Sequence, residues 1–320
     1  MRIAQRCLED FDERDVWNNC PFSGDSAGQC VNCHSYQAYN RDGNMQMHLR
    51  VDKGGTVIYR DGKGVKVNLK TPNTISAGVY PSWHPSLPII AYSTNDTHQH
   101  LHSADRNKVE VQDAASDLVL YDCDANTLQI IANSPTEWET FPYWNHDGTA
   151  LYYASATVPA MHPDSLNVWK TEHYKDLKYN IYRRSFDART RTFGPIDTVY
   201  YAVADSCSAT FPRESPDGRY LLFTRGEYGQ FHIWHHDADL WLKDLQTGEL
   251  CPATALNSPD TESYHSFSST GRWIIFSSRR DDGNYTRLYI AHFAPDGTIG
   301  KPFLLPQQTP AHNTERLLSY

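Results

Sequence analysis

The chain lacks the long apolar run that a membrane-spanning helix needs. Its 320 residues are 39% hydrophobic and their mean hydropathy is −0.62, whereas a spanning helix takes about 20 consecutive apolar residues. The first 17 residues carry too many charges to provide the apolar core of a secretory signal. The sequence therefore predicts no transmembrane segment, and it shows no signal peptide.

Positive charge is also scarce. The chain has 29 Lys and Arg residues against 38 Asp and Glu residues, which gives a formal net charge of −9 and a pI near 5.9. A protein that binds nucleic acid through its phosphates needs the opposite balance. We therefore expect no nucleic-acid partner.

The common catalytic motifs are missing as well. No phosphate-binding loop, no dinucleotide fingerprint after a strand and no His-Glu-x-x-His zinc motif occurs. Residues 24–28, Gly-Asp-Ser-Ala-Gly, match the nucleophile elbow of serine hydrolases, but that elbow needs a buried strand before its serine. Pro21 and few β-forming residues precede Ser26. An enzyme is therefore the least favoured function.

What the chain does have is one cysteine motif, Cys30-Val-Asn-Cys33-His34. Two thiols three residues apart followed at once by a histidine are the attachment signature of a c-type haem. The thiols bind the vinyl groups of the porphyrin, and the imidazole binds its iron. The motif predicts haem c on Cys30 and Cys33 with His34 as the proximal ligand. A disulfide loop or a zinc half-site is the alternative, and zinc is disfavoured because no second cysteine pair follows at finger spacing.

A haem iron held by His34 needs an open sixth position or a distal side chain. Met45, Met47 and His48 follow the motif on a segment predicted to be extended. Our first candidate for the distal ligand is His48, because a hairpin folding back over residues 36–44 would bring it over the ring. Met45 is the second candidate. The competing interpretation is that all three side chains make ordinary strand contacts.

Other cysteines and histidines carry weaker signals. The remaining five cysteines have no metal-ligand spacing and are predicted to be buried thiols, with a Cys7–Cys20 disulfide if the compartment is oxidising. One group of histidines alternates, as on a strand face that could hold a transition metal, but its polar neighbours favour an inserted loop. A second group is interpreted as part of a loop between strands. The two groups are His98, His100 and His102, and His232, His235 and His236.

The architectural signal is a unit that recurs four times. Each copy opens on an aromatic residue, and another aromatic follows twelve residues later with an aliphatic residue two positions before it. Between them, turns such as Asp147-Gly148 are typical of hairpins. The first copy has Leu87-Pro88 there, so its turn must differ. The copies open at Tyr80, Phe141, Phe211 and Tyr264, and their second aromatics are Tyr92, Tyr153, Phe223 and Phe276.

Short sheets of this kind cannot bury both faces alone, so the copies must stack radially or in a line, and a propeller is the simplest arrangement. The sequence predicts an all-β protein, a β-propeller of four-stranded blades forming an incomplete ring of the six-bladed type. Residues 1–54 are predicted to be a short irregular N-terminal segment with the cysteine motif, and residues 55–320 the propeller. Insertions at 95–112 and 157–178 are predicted to form its binding surface.

The repeat pattern aromatic-Pro-x-Trp-x-x-Asp-Gly-x-x-aliphatic-x-aromatic resembles the WD-like repeats of TolB-type β-propellers, over about residues 79–297. Residues 18–34, with Met47-His48-Leu49-Arg50 and Gly54-Gly55-Thr56, resemble a TolB-like, cytochrome-c-biosynthesis-like group of bacterial envelope proteins. This resemblance implies a periplasmic or cell-envelope location and protein partners there. It implies architecture more than activity.

Two functional hypotheses follow. The first is a non-catalytic cell-envelope propeller carrying one covalent haem for electron transfer or redox sensing in a protein assembly. The second is a haem-free interaction scaffold whose rim recognises protein partners. Covalent haem after export and maturation would support the first hypothesis, and an unmodified, colourless protein would support the second.

Overall fold

Strands dominate the computed structural model, which describes residues 2–18, 30–50 and 54–315. Within these ranges the strands form five four-stranded antiparallel sheets and one two-stranded sheet. Each four-stranded sheet takes four strands that follow one another in the chain, as the blade of a β-propeller does. The predicted all-β propeller of four-stranded blades is confirmed.

The five blades are numbered in chain order. Blade 1 contains β3 (Cys30–Tyr36), β4 (Met45–Arg50), β5 (Gly55–Arg60) and β6 (Lys63–Val67). Blade 2 contains β7 (Val79–Trp83), β8 (Ile89–Leu101), β9 (Val109–Asp122) and β10 (Thr127–Ala132). Blade 3 contains β11 (Glu137–Trp144), β12 (Ala150–Thr157), β13 (Asn180–Asp187) and β14 (Thr192–Tyr200). Blade 4 contains β15 (Ser208–Glu214), β16 (Tyr220–Gly226), β17 (Asp239–Asp244) and β18 (Leu250–Pro252). Blade 5 contains β19 (Glu262–Phe267), β20 (Trp273–Ser278), β21 (Arg287–His292) and β22 (Phe303–Leu304).

A two-stranded hairpin, β1 (Arg2–Arg6) and β2 (Glu13–Asn18), takes the sixth position. Its Ile3 packs in one cluster with Val31 and Met47 of blade 1. Arg6 donates a hydrogen bond to Gln307 Oε1 at 2.8 Å, just after blade 5. The hairpin therefore links the last blade to the first, and within the described ranges it supplies two strands at the sixth position.

Helices are few. Helix α1 (Pro163–Glu172) lies in the insertion between β12 and β13, and the single turn α2 (His312–Glu315) follows blade 5. Neither these nor any other helix in the described ranges has the length and apolar character needed to span a membrane.

Blade 1 differs from the predicted division of the chain after residue 54. Strands β3 and β4 belong to the same sheet as β5 and β6, and Met47 of β4 pairs with Val57 of β5. The division would therefore cut blade 1 through its middle. The repeat predicts each blade from an opening aromatic residue, and blade 1 has Cys33 at that position instead.

The apolar core lies between neighbouring blades. On β20, Ile274 and Phe276 are two residues apart, so they share one face and pack on Leu222 and Leu240 of blade 4. All four side chains are fully buried. Burial of each such side chain stabilises the fold by about 1.5–3 kcal/mol. This pairing explains the recurring aliphatic and aromatic positions of the repeat.

Turns between the first two strands of a blade bind the next blade. His84, which follows β7, lies over the turn of blade 3 and its Nε2 donates to Gly148 O at 3.0 Å. Its Nδ1 accepts the backbone N–H groups of Ser86 and Leu87 at 3.2 and 3.0 Å. The imidazole thus replaces the Asp-Gly turn chemistry that Leu87-Pro88 excludes. His146 lies over Gly218 of blade 4 in the same way.

Gly148→Ala is expected to destabilise the ring more than Gly248→Ala does. Both glycines have positive φ, +76° and +79°, but a Cβ on Gly148 would lie 2.4 Å from His84 whereas one on Gly248 meets nothing within 4 Å. Positive φ costs an alanine about 1–2 kcal/mol, and overpacking adds about 1–3 kcal/mol. Urea unfolding of the two variants measures the difference. Equal losses would show that His84 does not hold the turn of blade 3.

Candidate functional site

The first strands of neighbouring blades contact one another and enclose the central channel. In each of the five blades this strand contains a bulge of two residues, seen as a break in its register with the second strand. The first residue of every bulge has left-handed φ, between +47° and +55°. We call these five residues the inner ring. They are Cys33, Tyr80, Phe141, Phe211 and Tyr264.

Four members of the inner ring contact one another across four blades, with their ring planes tilted. The ring centroids are 4.4 Å apart for Tyr80 and Phe141, 4.0 Å for Phe141 and Phe211, and 5.0 Å for Phe211 and Tyr264. Left-handed φ is costly for aromatic residues, and these ring contacts help to offset that cost. The channel is therefore narrowed by aromatic side chains at the level of the bulges.

Cys33 is the fifth member of the inner ring, which sequence reasoning missed. The stretch Cys33-His34-Ser35-Tyr36 takes the place of Tyr80-Pro-Ser-Trp83 in blade 2, with the same register break before the serine. Met47 then takes the place of Tyr92. The shared serine and closing aromatic, Ser35 and Tyr36, were the signal that could have revealed this copy.

The cysteine motif is thus part of a paired strand. Cys30 pairs with Arg50 and Asn32 pairs with His48 across β3 and β4. Three residues of extended chain separate the Cα atoms of Cys30 and Cys33 by about 10 Å. A c-type haem needs both thiols at one edge of the ring with the imidazole beneath its iron. In this paired strand the backbone does not bring the two residues together, so haem attachment at Cys30 and Cys33 stays a prediction that requires β3 to change its conformation.

The candidate iron ligands are not brought together either. Met45 is buried, 4% exposed, in the core between blade 1 and the N-terminal hairpin. His48 lies on the opposite face of β4, because the two residues are an odd number of positions apart, and its Nδ1 lies 3.4 Å from Thr56 Oγ1. His34 lines a different space, described next. Burial lowers the pKa of His34 to about 4, so its imidazole is neutral at pH 7.

A cavity of about 370 Å³ opens at the channel end where the first two strands of each blade are joined. We call it the mouth cavity. Inner-ring residues Tyr80 and Phe141 line it together with polar side chains. Its other described lining residues are His34, Ser35, Tyr36, Ala38, Tyr39, Asn40, Pro81, Ser82, Trp83, Pro85, Pro142, Tyr143, Trp144, Asn145, His146, Arg213 and Ser266.

A buried carboxylate positions one histidine of the mouth cavity. Glu214 Oε1 accepts from Nδ1 of His146 at 2.6 Å, and its Oε2 accepts from the Tyr152 hydroxyl at 2.8 Å. Burial, and then the charge of Glu214, raises the pKa of Tyr152 well above its ordinary value. Glu214 is only 4% exposed, so its carboxylate contacts His146 and Tyr152 rather than solvent. His146 is held with Nε2 as its remaining ring nitrogen.

Arg213 is held against the wall of the mouth cavity by an aromatic ring. Its guanidinium lies 4.7 Å from the ring centroid of Tyr143, and its Nη1 donates to Pro212 O at 2.9 Å. Tyr39, which is 52% exposed, stands at the rim close enough to Glu214 and Arg213 for both charges to act on its pKa, which burial raises. This contact with the ring holds the guanidinium in one orientation.

The other end of the channel is closed by a long hairpin of blade 2. The predicted loop at 95–112 is instead the regular extension of β8 and β9, which reaches over to blades 3, 4 and 5. Lys175 pairs with Asp105 at 2.8 Å, and Arg106 donates to Pro259 O at 3.3 Å. The hairpin is fixed by a fully buried hydrogen bond between His235 Nε2 and Glu110 Oε2, 3.1 Å apart.

Two buried carboxyl groups lie beneath this hairpin. Asp113 is 1% exposed and accepts from Thr97 and Asn95 at 2.7 and 2.6 Å, and burial raises its pKa to about 6. Burial and then the charge of Asp117 raise the pKa of Glu139 to about 8. At pH 7 the Glu139 carboxyl group is therefore mostly protonated, whereas Asp113 is mostly ionised.

The histidine groups do not form metal sites. Within the described ranges no three His, Cys, Asp or Glu side chains converge as a metal ion would require. His98 and His100 are exposed on the hairpin of blade 2, and His102 stacks on Tyr174 at 5.4 Å. His232 and His235 are buried in the loop between β16 and β17, as the loop interpretation predicted.

Some sequence predictions fall on residues that the structure does not describe. Ser26 of the hydrolase-like motif and Cys20 lie outside the described ranges. The five cysteines whose side chains are described form no disulfide with one another; they are Cys7, Cys33, Cys123, Cys207 and Cys251.

Comparison with known proteins identifies the fold. No protein-family model and no curated protein matches the chain. A solved structure described as a putative TolB from Agrobacterium tumefaciens is similar with a TM-score of 0.58 at 13% identity, over 94% of this chain and 86% of that one. TolB from Acinetobacter baumannii is similar with a TM-score of 0.53 at 12% identity, over 92% of this chain but only 60% of that one. The chain thus has the TolB-like β-propeller fold.

The strand geometry predicts that the chain carries no haem after maturation. Export together with a cytochrome c maturation system should give the unmodified polypeptide mass and no haem absorbance. A haem that survives denaturation, and disappears in Cys33→Ser, would contradict this result and would require β3 to leave its sheet.

Glu139→Gln is expected to remove a loss of stability at high pH. The pKa of Glu139 is about 8 when folded, against an ordinary 4.5. Between these pH values the folded state binds more protons than the unfolded state, so wild-type stability falls as pH rises. The variant should match wild type near pH 4.5 and gain a few kcal/mol on it by pH 8, measured by urea unfolding. A constant difference across this range would contradict the assignment.

Proposed function

We propose that the chain is a non-catalytic, haem-free interaction protein of the cell envelope, which binds a segment of a partner protein at the mouth cavity. The observation that carries this proposal is the cavity itself, with its aromatic walls, a stacked guanidinium and an oriented imidazole at the open end of the channel. Aromatic residues and arginine are the residue types that dominate protein recognition sites.

The position of the cavity supports this choice. The hairpin of blade 2 covers the opposite end through contacts with three other blades, so a partner reaches the inner ring from the mouth side. The rigid first strands present the lining residues, which keeps the ordering cost of binding low. A periplasmic or envelope location is proposed from the TolB-like fold.

A catalytic role is less well supported. The Glu214–His146 pair orients an imidazole, as in enzymes that use histidine as a base. Within the described residues, however, the hydrogen bonds of His146 run to Glu214 alone, and no serine, threonine or cysteine side chain is bonded to the imidazole. Electron transfer or redox sensing through a haem would need β3 to unpair.

A photo-crosslinking residue in place of Tyr39 tests the proposed function. Tyr39 lines the rim of the mouth cavity and is 52% exposed, so a partner segment bound there would be captured. The same residue in place of Ile196, 62% exposed on the outer strand of blade 3, is the matched control. Irradiation in envelope fractions should give a discrete adduct from position 39 alone, competed by excess unmodified protein.

Identical adducts from both positions, or none that unmodified protein competes, would reject the mouth cavity as the binding site. Loss of the position-39 adduct on unfolding of the propeller confirms that the folded ring is needed.

A further inference from the structure

We propose that Tyr39 is the gate of the mouth cavity: a left-handed turn holds its ring across the opening, and a ligand enters the cavity only when that turn opens. The turn consists of Ala38, Tyr39 and Asn40, in the loop that joins β3 to β4. We call it the gate turn. This inference rests on the proposed function for the partner that enters, but its test needs no partner.

The backbone of the gate turn is strained. Ala38, Tyr39 and Asn40 have φ of +46°, +55° and +63°, so three consecutive residues other than glycine are left-handed. Such residues visit this region singly, and a run of them is unfavourable. Strain of this kind is typical of ligand clamps and switch regions. It lowers the free energy that the turn needs to leave its present conformation.

The two ends of the loop are fixed on blade 2. Gln37 N donates to Asn44 O at 3.0 Å, and Asn44 Nδ2 donates to Gln37 Oε1 at 2.9 Å. Gln37 Nε2 also donates to His84 O and Leu87 O, at 2.8 and 2.9 Å. These bonds confine movement to residues 38–43, so the gate turn can open while the strands of blade 1 stay paired.

The middle of the loop is held more weakly. The Arg41 side chain pairs with its neighbour Asp42 at 3.0 Å, and both are exposed, so this ion pair adds little. Gly43 has a φ of +72°, and a Cβ there would meet nothing within 4 Å. Backbone bonds such as that from Arg41 N to Ala38 O, 3.1 Å, close the turn. Few buried contacts and an exposed backbone are properties of segments that open locally.

The Tyr39 side chain reaches across the mouth. It belongs to blade 1, whereas Arg213 and Glu214 end β15 of blade 4, which lies opposite blade 1 in a ring of six positions. Burial raises the pKa of Tyr39, the charge of Glu214 raises it further, and the charge of Arg213 lowers it. Burial and then Tyr39 raise the pKa of Tyr143 on blade 3. The ring therefore lies over the opening that these blades enclose.

The backbone alone positions this ring. Tyr39 is 52% exposed, and among the described residues its hydroxyl makes no hydrogen bond and its ring no aromatic contact. Opening of the gate turn would therefore move the ring off the mouth without breaking such a contact. A partner segment that enters the cavity binds the open state, so its apparent affinity falls with the fraction of closed turn.

Alkylation of a cysteine in the mouth cavity tests this inference on the whole chain. The reporter is Ser35→Cys, because Ser35 lines the cavity, is 4% exposed, and has a hydroxyl without a hydrogen bond to lose. The probe is iodoacetamide, and peptide mapping follows each cysteine separately. Two native cysteines are internal references: exposed Cys251 reports the reagent, and buried Cys207 reports unfolding of the blades. Ser266→Cys, at another lining position, is the second reporter should the first not fold.

Tyr39→Ala, made in the reporter chain, should raise the alkylation rate at position 35 at least about tenfold, because a closed gate leaves the open state at roughly 10% or less. Tyr39→Phe keeps the ring and should match the reporter chain. Ala38→Gly should lower the rate about fivefold, because glycine adopts left-handed φ without the cost that alanine bears.

The matched control is Asp61→Gly. Asp61 also has left-handed φ, +51°, but it lies in the turn between β5 and β6 and does not line the cavity. The control should leave the rate at position 35 unchanged, which separates closure of the gate turn from a general effect of glycine on the chain.

An unchanged rate in Tyr39→Ala would overturn the inference, because the ring would then cover nothing. So would a faster rate in Ala38→Gly, or a rate at position 35 equal to that of Cys207 in every variant, since exposure would then require unfolding. The position-39 adduct distinguishes the two levels. If it forms while alkylation is insensitive to the gate turn, the proposed function stands and the gate fails; if alkylation follows the gate turn and no adduct forms, the reverse holds.

Discussion

The left-handed bulge in the first strand of every blade is the constraint on which the channel depends. It turns one side chain of each blade toward the axis, and four of these five side chains are aromatic rings in contact. Such a backbone is unfavourable for residues other than glycine, so it persists only where the surrounding packing enforces it. In three of the strands the next residue of the bulge, His34, Pro81 or Pro142, lines the mouth cavity.

This constraint changes the meaning of the cysteine motif. In isolation, Cys30-x-x-Cys33-His34 is a haem signature, and local spacing alone supports it. In the fold, Cys33 is a member of the inner ring and His34 is the second residue of a bulge. Both lie in β3, which is paired with β4. Strand pairing is a long-range interaction that the spacing of three residues cannot reveal. The same is true of Met45 and His48, whose opposite faces follow from the strand that contains them.

Much of the fold could be predicted from sequence, because each repeat has aromatic and aliphatic side chains at fixed spacing. The copies opening at Tyr80, Phe141, Phe211 and Tyr264 identified four blades and their third strands. The repeat does not predict the first blade, because cysteine replaces its opening aromatic. The hairpin at 95–112 differs from the predicted loop because its polar strands contact residues of other blades. The mouth cavity could not be predicted, since Tyr39, His146 and Arg213 come from three blades.

The most direct test of this account is whether Cys30 and Cys33 can be joined. A disulfide needs Cα atoms within about 7 Å, and a paired extended strand holds these two about 10 Å apart. Peptide mapping of the mildly oxidised native protein should therefore find no disulfide between these two residues, and should find one only after unfolding. A disulfide between them in the native protein would contradict the paired strand, and with it the placement of Cys33 in the inner ring.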